Sequence, residues 1–358
     1  METMQRVCVV VGGDFGRSPR MQYHCLSLCD QNIVVDVVAF KGSRPHDNIV
    51  NNEHITLHLM NPTPDFHVPN LVAYILKTLW QSVVLLSFLF SLVKPNYILV
   101  QNPPSIPILP VVWFYCFLRR VKVIIDWHNY GFSILALSLN QNHILVRICR
   151  FVEGYFGSKA TGNLCVSKAF QADLKSRWNI DAIVHYDSPA DIFSPISIEE
   201  KHSLFCKLKS DYLLFRGDTE SETRFTREND GNIVENEERP ALIITSTSWT
   251  EDEDFSLLIE ALKFYDLKSS ENSELPELVC VITGKGPLKD HYTEIIRNEK
   301  WRKVMFLLPW LEAEQYPKLL AACDLGVCLH TSSSGLDLPM KIVDMFGCGL
   351  PLAIKLKD

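Results

Sequence analysis

The chain has 358 residues, 47% of them apolar, and a formal net charge of -7. This length exceeds one typical domain and predicts two domains with full apolar cores. The negative charge argues against nucleic acid as the main partner. Eleven cysteines without a C-x-x-C pair indicate reduced thiols in a cytosolic environment, most of them small core residues.

Strand-like and helix-like segments alternate through the first half of the chain. Residues 1–6 lead directly into an apolar strand, so no signal peptide is expected. The predicted strands are 7–13, 34–40, 55–60, 97–101, 121–127, 163–167 and 182–186. The predicted helices are 71–93, 106–119, 142–156 and 168–178. This alternation indicates βαβ units in a doubly wound α/β domain, residues 1–188.

The composition changes in the middle of the chain. Residues 189–240, and above all 210–240, are polar and acidic, which predicts a solvated linker with an insertion. A second series of strands follows at 241–246, 278–283, 303–308, 325–330 and 351–355. A doubly wound domain usually has a further helix and strand after that point, so the second domain, residues 241–358, is expected to be incomplete.

Three polar runs follow strands of the second domain, at residues 246–254, 283–287 and 330–341. Parallel sheets of this kind bind ligands beyond the carboxyl ends of their strands. Three polar loops at one edge therefore predict a site for a polar, phosphorylated ligand.

Longer runs of sequence carry a more specific signal. They include GGDFGRSPRMQYH from Gly12, VIIDWHNYGFSI from Val123 and VCVITGKGPLKDHY from Val279. With further runs from Gln101, Thr245 and Pro309, they resemble the chitobiosyldiphosphodolichol β-mannosyltransferase family, in order and over nearly the whole chain.

The resemblance implies a GT-B fold with two facing Rossmann-like domains, GDP-mannose as donor and GlcNAc2-diphosphodolichol as acceptor. It implies inverting transfer to a β-1,4 linkage, which is the first mannosylation of the lipid-linked oligosaccharide for N-glycosylation. The implied location is the cytosolic face of the endoplasmic reticulum membrane, with other mannosyltransferases of the dolichol pathway as further partners. No cofactor is required and no metal ligands are predicted, although the family resemblance is compatible with stimulation by a divalent cation.

The resemblance implies an apolar anchor ahead of the first strand and a further stretch beyond the position of Asp358, and we expect this chain to lack both. The alternative function is therefore a truncated, inactive homologue that retains membrane or nucleotide binding.

An inverting transfer needs a base that takes the proton from the acceptor hydroxyl. Asp126 and His128 follow the strand 121–127 and are the first candidates, with Asp14 next. The alternative interpretation is that Asp126 caps a turn and His128 is a polar loop residue.

The glycine-rich loop after the first strand is a candidate diphosphate site. Gly12, Gly13 and Gly16 would allow positive φ angles and close backbone approach, and the following helix would present N–H groups to an anion. Arg17 and Arg20 would supply positive charge. The alternative is a loop that only turns the chain.

Polar residues at the strand ends of the second domain are candidates for donor binding. Lys285 and Lys341 would pair with phosphate, while Thr250 with Glu253 resembles a helix capping box. The alternatives are an incidental turn at Lys285 and a flexible serine-rich loop at 331–334. The candidates are Ser246, Thr247, Ser248, Trp249, Gly284, Lys285, Gly286, Trp310, Leu311, Thr331, Ser332, Ser333, Ser334, Gly335, Asp337, Lys341 and Asp344.

Residues 71–93 form an apolar segment long enough to span a bilayer. Lys77, Gln81 and the position of the segment between two strands argue against spanning. We therefore predict a helix that is partly core and partly in contact with the membrane or the dolichol tail, beside residues 106–118.

Overall fold

The computed structural model describes residues 4–64, 66, 68–250, 253–272, 274–309, 311–312, 314–330 and 332–354, apart from the side chains of Asn70 and Leu71. The chain divides between Tyr186 and Asp187 into two compact units. Each unit contains its own parallel sheet with helices between successive strands, which confirms the doubly wound α/β class predicted from the sequence.

The described residues of the first unit form a seven-stranded parallel sheet. Its strands are β1 Arg6–Asp14, β2 Val34–Phe40, β3 Ile55–Met60, β4 Tyr97–Asn102, β5 Lys122–Trp127, β6 Gly162–Cys165 and β7 Ile183–Val184. Its helices are α1 Pro19–Asp30, α2 Asp47–Val50, α3 Asn70–Ser91, α4 Ile108–Arg119, α5 Gly131–Ser138, α6 Ile144–Lys159 and α7 Lys168–Trp178. The sequence prediction missed α5, which consists of only eight residues.

Burial on both faces explains why the strands of this sheet were readily predicted. Val7, Val9 and Val11 of β1 pack into one core with Met21 of α1, and the strand is continuously apolar because helices cover both sides. The strand order is β3-β2-β1-β4-β5-β6-β7, so the order reverses between β1 and β4. Ligands of open α/β sheets bind beyond such a reversal, at the carboxyl ends of the strands.

The second unit follows the same plan within its described residues. Its strands are β8 Thr226–Asn229, β9 Asn232–Glu235, β10 Ala241–Ser246, β11 Leu278–Thr283, β12 Val304–Leu307, β13 Leu325–Cys328 and β14 Leu352–Ile354. Its helices are α8 Ile198–Asp211, α9 Phe255–Glu271, α10 Lys289–Asn298, α11 Gln315–Ala322 and α12 Met340–Gly347. The parallel sheet has the order β12-β11-β10-β13-β14, with its reversal between β10 and β13.

The thiols are free, and ten of the eleven are buried; Cys206 is the partly exposed one. This confirms the prediction that most cysteines serve as small core residues.

The segment 189–240 is folded, so the predicted solvated linker is wrong. Helix α8 starts with a capping box between Ser197 and Glu200, and β8 and β9 form an antiparallel hairpin. Phe215 and Phe225 are fully buried, and their rings contact Phe205 at 5.2 and 5.0 Å between centroids. A few aromatic residues thus anchor a segment whose average composition is polar.

We expect Phe225→Ala to lower the free energy of unfolding of the protein by about 3–5 kcal/mol, because a buried aromatic ring leaves a cavity. Leu213→Ala is the matched control in the same segment, since Leu213 is 71% exposed. Denaturant unfolding of the two variants measures both values. A loss below about 1 kcal/mol for Phe225→Ala would contradict the packing of this segment and support the linker predicted from the sequence.

Candidate active site

The loop after β1 is closed by a carboxylate. Asp14 Oδ2 accepts hydrogen bonds from the backbone N–H and the hydroxyl of Ser43, at 2.8 and 2.7 Å, and Oδ1 accepts one from Gly16 N at 3.0 Å. These bonds, the Ser43 N–H foremost, lower the pKa of Asp14. Both oxygens therefore hold the loop, which gives Asp14 a loop-closing role, and its candidacy as the base stays a prediction.

Glycine is required in this loop because neighbouring groups come close to its backbone, and not because a φ angle is positive. Gly12, Gly13 and Gly16 all have ordinary negative or extended φ angles, so the predicted use of positive φ is wrong. A Cβ on Gly12 would lie 2.5 Å from Pro104 Cγ, and one on Gly16 would overlap the carbonyl group of Ser43. Gly13 faces open space and leaves room for a ligand at the point where the strand order reverses.

Arg20 is buried in an ion pair and does not face a ligand. Its Nε and Nη2 donate to the two carboxylate oxygens of Asp126 at 2.8 and 2.9 Å, and Nη1 donates to the carbonyl oxygen of His185 at 2.8 Å. The side chain is 6% exposed. The predicted diphosphate role of Arg20 is therefore corrected to a supporting one, whereas the Arg17 side chain is 82% exposed.

Asp126 holds two histidines at the end of β5. Its Oδ2 lies 2.9 Å from His128 Nε2 and 3.0 Å from His24 Nε2. Burial would raise the pKa of Asp126, but the electrostatic interaction with His128 and the hydrogen bonds from His128, His24 and Arg20 hold it well below the usual value. The carboxylate is fully buried, so Asp126 is corrected from candidate base to the residue that orients His128, whose side chain is 21% exposed.

A second buried carboxylate of this unit, Glu153 on α6, was missed in the sequence. It accepts hydrogen bonds from Asn102 Nδ2 at 2.8 Å, Gly131 N at 2.7 Å and Phe132 N at 3.3 Å. Burial raises the pKa of Glu153 to about 7, against the lowering effect of these three bonds. The carboxylate therefore joins the loop after β4 to the first turn of α5.

In the second unit, the loops after β10 and β11 touch through their backbones. Gly284 has a φ of +124°, and a Cβ there would overlap the carbonyl oxygen of Thr247. A Cβ on Gly286 would overlap the carbonyl oxygen of Ser248. Lys285 lies between these two glycines and is exposed at the carboxyl edge of the sheet.

Glu253 organises the carboxyl edge of this second sheet. It is 3% exposed, pairs with Lys341 Nζ, and accepts hydrogen bonds from the hydroxyl of Thr247 and, at 2.8 Å, from Ser248 N. The predicted capping box at Thr250 is wrong, because α9 starts at Phe255 with a different N-cap. Lys341 is thus held at the site by a buried carboxylate.

Two of the predicted donor contacts pack within the protein. Trp249 is 1% exposed, stacks on Phe255 at 4.6 Å and donates from Nε1 to the carbonyl oxygen of Gly284 at 3.3 Å. Its predicted donor contact is therefore corrected to a core role. The hydroxyl of Ser246 lies 2.7 Å from Tyr316 Oη, which places Ser246 against α11.

The serine-rich loop after β13 is closed on Asp337. Its Oδ1 accepts from the hydroxyl of Ser332 and, at 3.1 Å, from that of Ser334. Gly335 has a φ of +71° and donates from its backbone N to Ser332 Oγ at 3.1 Å. The loop is thus internally hydrogen bonded, in contrast to the flexible-loop alternative.

Asp344 on α12 makes no side-chain hydrogen bond or ion pair with the described residues, and burial raises its pKa to about 6. Leu311 packs against the hydrophobic core that contains Leu242 and Ile244 of β10. Ser333 lies within the loop closed by Asp337, while Trp310 and Thr331 lie outside the described residues.

Solved structures of similar fold include WaaG, a glycosyltransferase involved in lipopolysaccharide biosynthesis, with a TM-score of 0.58 at 11% identity over 98% of this chain and 80% of that one. The chain aligns with sucrose-phosphate synthase from Thermosynechococcus elongatus with a TM-score of 0.62 at 10% identity, over 98% of this chain and 81% of that one. The catalytic domain of starch synthase IV from Arabidopsis thaliana gives a TM-score of 0.61 at 13% identity, over 98% and 83%. The fold is therefore that of the GT-B glycosyltransferases.

Curated relatives define the family more closely. The human chitobiosyldiphosphodolichol β-mannosyltransferase is 45% identical over 97% of this chain and 77% of its own length. The Arabidopsis thaliana protein named UDP-glycosyltransferase TURAN is 47% identical over 97% of this chain and 81% of its own. No protein-family model matches. At these identities, the chain belongs to the chitobiosyldiphosphodolichol β-mannosyltransferase family.

We expect Lys341→Ala to destabilise the protein by about 1–3 kcal/mol, because the buried Glu253 carboxylate loses its cation; partial exposure of Lys341 keeps the loss below that of a fully buried pair. The double variant with Glu253→Gln should recover part of the loss, since a neutral amide needs no cation. Thermal unfolding of both single variants and the double variant measures this coupling. Strictly additive effects would contradict it.

Proposed function

We propose that this protein transfers mannose from GDP-mannose to GlcNAc2-diphosphodolichol, with inversion, to form a β-1,4 linkage. The observation that carries the proposal is the identity of 45% over nearly the whole chain to an enzyme whose name gives this acceptor and the transfer of a β-mannosyl group. No cofactor takes part in the proposed reaction, and a divalent cation would act only as a stimulant.

His128 is the base in this proposal. Its Nε2–H donates to the Asp126 carboxylate, which leaves the lone pair of Nδ1 for the 4-hydroxyl of the acceptor. The hydroxyl oxygen attacks the anomeric carbon, its proton passes to Nδ1, and the bond to GDP breaks with the electron pair on the phosphate oxygen. The ionised Asp126 stabilises the resulting imidazolium, as an aspartate does beside a catalytic histidine.

The donor is assigned to the carboxyl edge of the second sheet. Lys341, and Lys285 between its two glycines, supply positive charge for the diphosphate. The loops that meet at Gly284 and the serine loop that follows β13 lie at the same carboxyl edge of this sheet. Asp344, whose carboxylate is half-buried, is proposed to accept hydrogen bonds from sugar or ribose hydroxyls.

Membrane association is assigned to α3, α4, α5 and α6, on the cytosolic face of the endoplasmic reticulum. Among the described residues, one helix, Val72–Ser91 within α3, is long and apolar enough to cross a bilayer. It connects β3 and β4 of one sheet, so spanning would separate strands that are hydrogen bonded to β1 and β2. We therefore propose that the chain binds the membrane peripherally.

The composition of these four helices supports a membrane surface. Their sequences contain five basic residues and one carboxylate, Glu153, which is buried. The basic residues are Lys77, Arg119, Arg147, Arg150 and Lys159. Exposed apolar side chains on the same helices are Tyr74, Leu79, Val83, Phe114, Phe117, Leu137, Ile144 and Phe151. Apolar contact with basic charge suits an anionic lipid surface.

A groove of about 680 Å³ between α3, α5 and α6 is assigned to the lipid tail. Its walls include Ile75, Leu79, Ile134 and Ile148, and none of the described residues that line it is a carboxylate. Gly131, three residues after His128, also lines this groove. A lipid lying there would bring its diphosphate to the end of the sheet that carries the proposed base.

We expect His128→Ala to lower turnover by about 10²–10⁴-fold, because the acceptor hydroxyl loses its base. Asp126→Asn should also lower it, while GDP binding stays intact in both. The assay supplies GDP-mannose and a GlcNAc2-diphospho-lipid, and NMR of the product gives the anomeric configuration. The control is His58→Ala, since His58 pairs with another buried aspartate, Asp36, at 2.9 Å.

The same assay separates the two functions. Formation of a β-mannosyl product by the wild-type chain supports the enzyme. GDP binding without transfer would instead support the inactive homologue that retains nucleotide binding, and normal turnover of His128→Ala would move the base elsewhere.

We expect the double substitution Phe117→Glu and Phe151→Glu to lower binding to anionic liposomes at least tenfold, because each phenylalanine contributes about 2 kcal/mol when buried in the interface. The control is Phe264→Glu with Leu267→Glu, two exposed positions of α9. Flotation measures binding, and alkaline carbonate should release the wild-type chain. Retention after carbonate treatment would contradict peripheral attachment.

A further inference from the structure

We propose that Glu153 is a positioning residue for the transfer step and holds the loop that carries His128. This inference rests on the proposed function. Glu153 is 0% exposed and lies on α6, far along the chain from the loops that it joins. A carboxylate is buried at a high cost in solvation free energy unless several donors are aimed at it.

Both loops flanking His128 converge on this carboxylate. Asn102, at the end of β4, donates from Nδ2 to Glu153 at 2.8 Å, and Gly131 donates from its backbone N at 2.7 Å. The backbone carbonyl oxygen of Asn102 also accepts a hydrogen bond from the backbone N–H of His128, at 2.9 Å. The Nδ2 of Asn102 lies 3.3 Å from the carbonyl oxygen of Asn129. The backbone at His128 and Asn129 is thus fixed through Asn102, and the next turn through Gly131.

The fit around Gly131 is close. A Cβ on Gly131 would lie 3.1 Å from both Glu153 Oε1 and Ser105 Oγ. The loop therefore has little freedom to move toward α6 while the carboxylate is in place. A shift of about 1 Å in a catalytic group can cost about 100-fold in rate, so the anchoring of this loop bears directly on turnover.

A purely structural role would predict a different set of effects. If Glu153 only stabilised α5, its substitution would lower the stability of the first unit and reduce activity in proportion to the unfolded fraction. If it positions His128, turnover falls in protein that is still folded, and the environment of the His128 imidazole changes.

The test uses Glu153→Gln in the full chain. Glutamine has nearly the same volume and can still accept from Asn102 and Gly131 through Oε1, but its NH2 group then faces the N–H of Phe132. Asp36→Asn is the matched control, because it also removes a buried carboxylate of the first unit. Asp36 lies on β2 and pairs with Arg6 on β1 and His58 on β3. The measurements are kcat, KM for GDP-mannose, thermal unfolding, and the NMR titration midpoint of His128.

We expect Glu153→Gln to lower kcat about 10–100-fold with an unchanged KM for GDP-mannose and a shifted His128 titration, while Asp36→Asn leaves all three as in the wild type. Wild-type kcat and an unchanged titration in folded Glu153→Gln would overturn the proposal. So would a loss of kcat that matches the unfolded fraction. The titration needs no transfer activity, so failure of the proposed function in the wild type leaves this test intact.

Where Glu153→Gln does not fold, Asn102→Asp provides the second variant, because it places a like charge against Glu153. An unchanged His128 titration in this variant would again overturn the proposal.

Discussion

The loops at the carboxyl ends of both sheets depend on carboxylates that water does not reach. Asp126, Glu153 and Glu253 are 0, 0 and 3% exposed. A buried carboxylate is tolerated only where donors replace its hydration shell. Here the donors are backbone N–H groups and side chains of the loops, together with side chains of neighbouring helices. The cost of burying the carboxylate is therefore offset only when those loops adopt one arrangement relative to the helices.

The chemistry of each site follows from the partners of its carboxylate. Asp126 has Arg20, His24 and His128 around it, which keeps it ionised and makes it suited to orient a histidine that exchanges a proton. Glu253 has Lys341 and two loop donors, so the lysine is fixed at the edge where a phosphate is proposed. The same arrangement thus supports the proposed base in one unit and the proposed phosphate contact in the other.

The sequence predicted the strands well because parallel strands buried on both faces are continuous apolar runs. Strand ends and their polar loops followed from the same pattern. Contacts between residues distant in sequence could not be predicted from this pattern. Arg20 and Asp126 are 106 residues apart, and Arg20 was predicted to contact a diphosphate. Glu153 was not singled out in the sequence, because its donors lie on other elements.

Side-chain direction explains the remaining errors. Trp249 directly follows three hydroxyl residues at a strand end, yet its φ of +52° turns the ring into the core against Phe255. Local composition gives no sign of such a turn. In residues 210–240 the many charged residues led to the prediction of a linker. Phe215 and Phe225 are nevertheless buried in the core and anchor this segment.

The proposed lipid groove and the proposed base share one set of supports. Gly131 and Ser105 line the groove, and Glu153 Oε1 and Ser105 Oγ lie equally close to the position of a Cβ on Gly131. A tail that packs against this wall therefore presses on the residue that begins α5, three positions after His128. Because interiors are closely packed and yield little, a lipid in the proposed groove would affect the position of the imidazole through this loop. The apolar part of the acceptor would then contribute to turnover as well as to binding, since its binding energy is available to hold the catalytic loop in place.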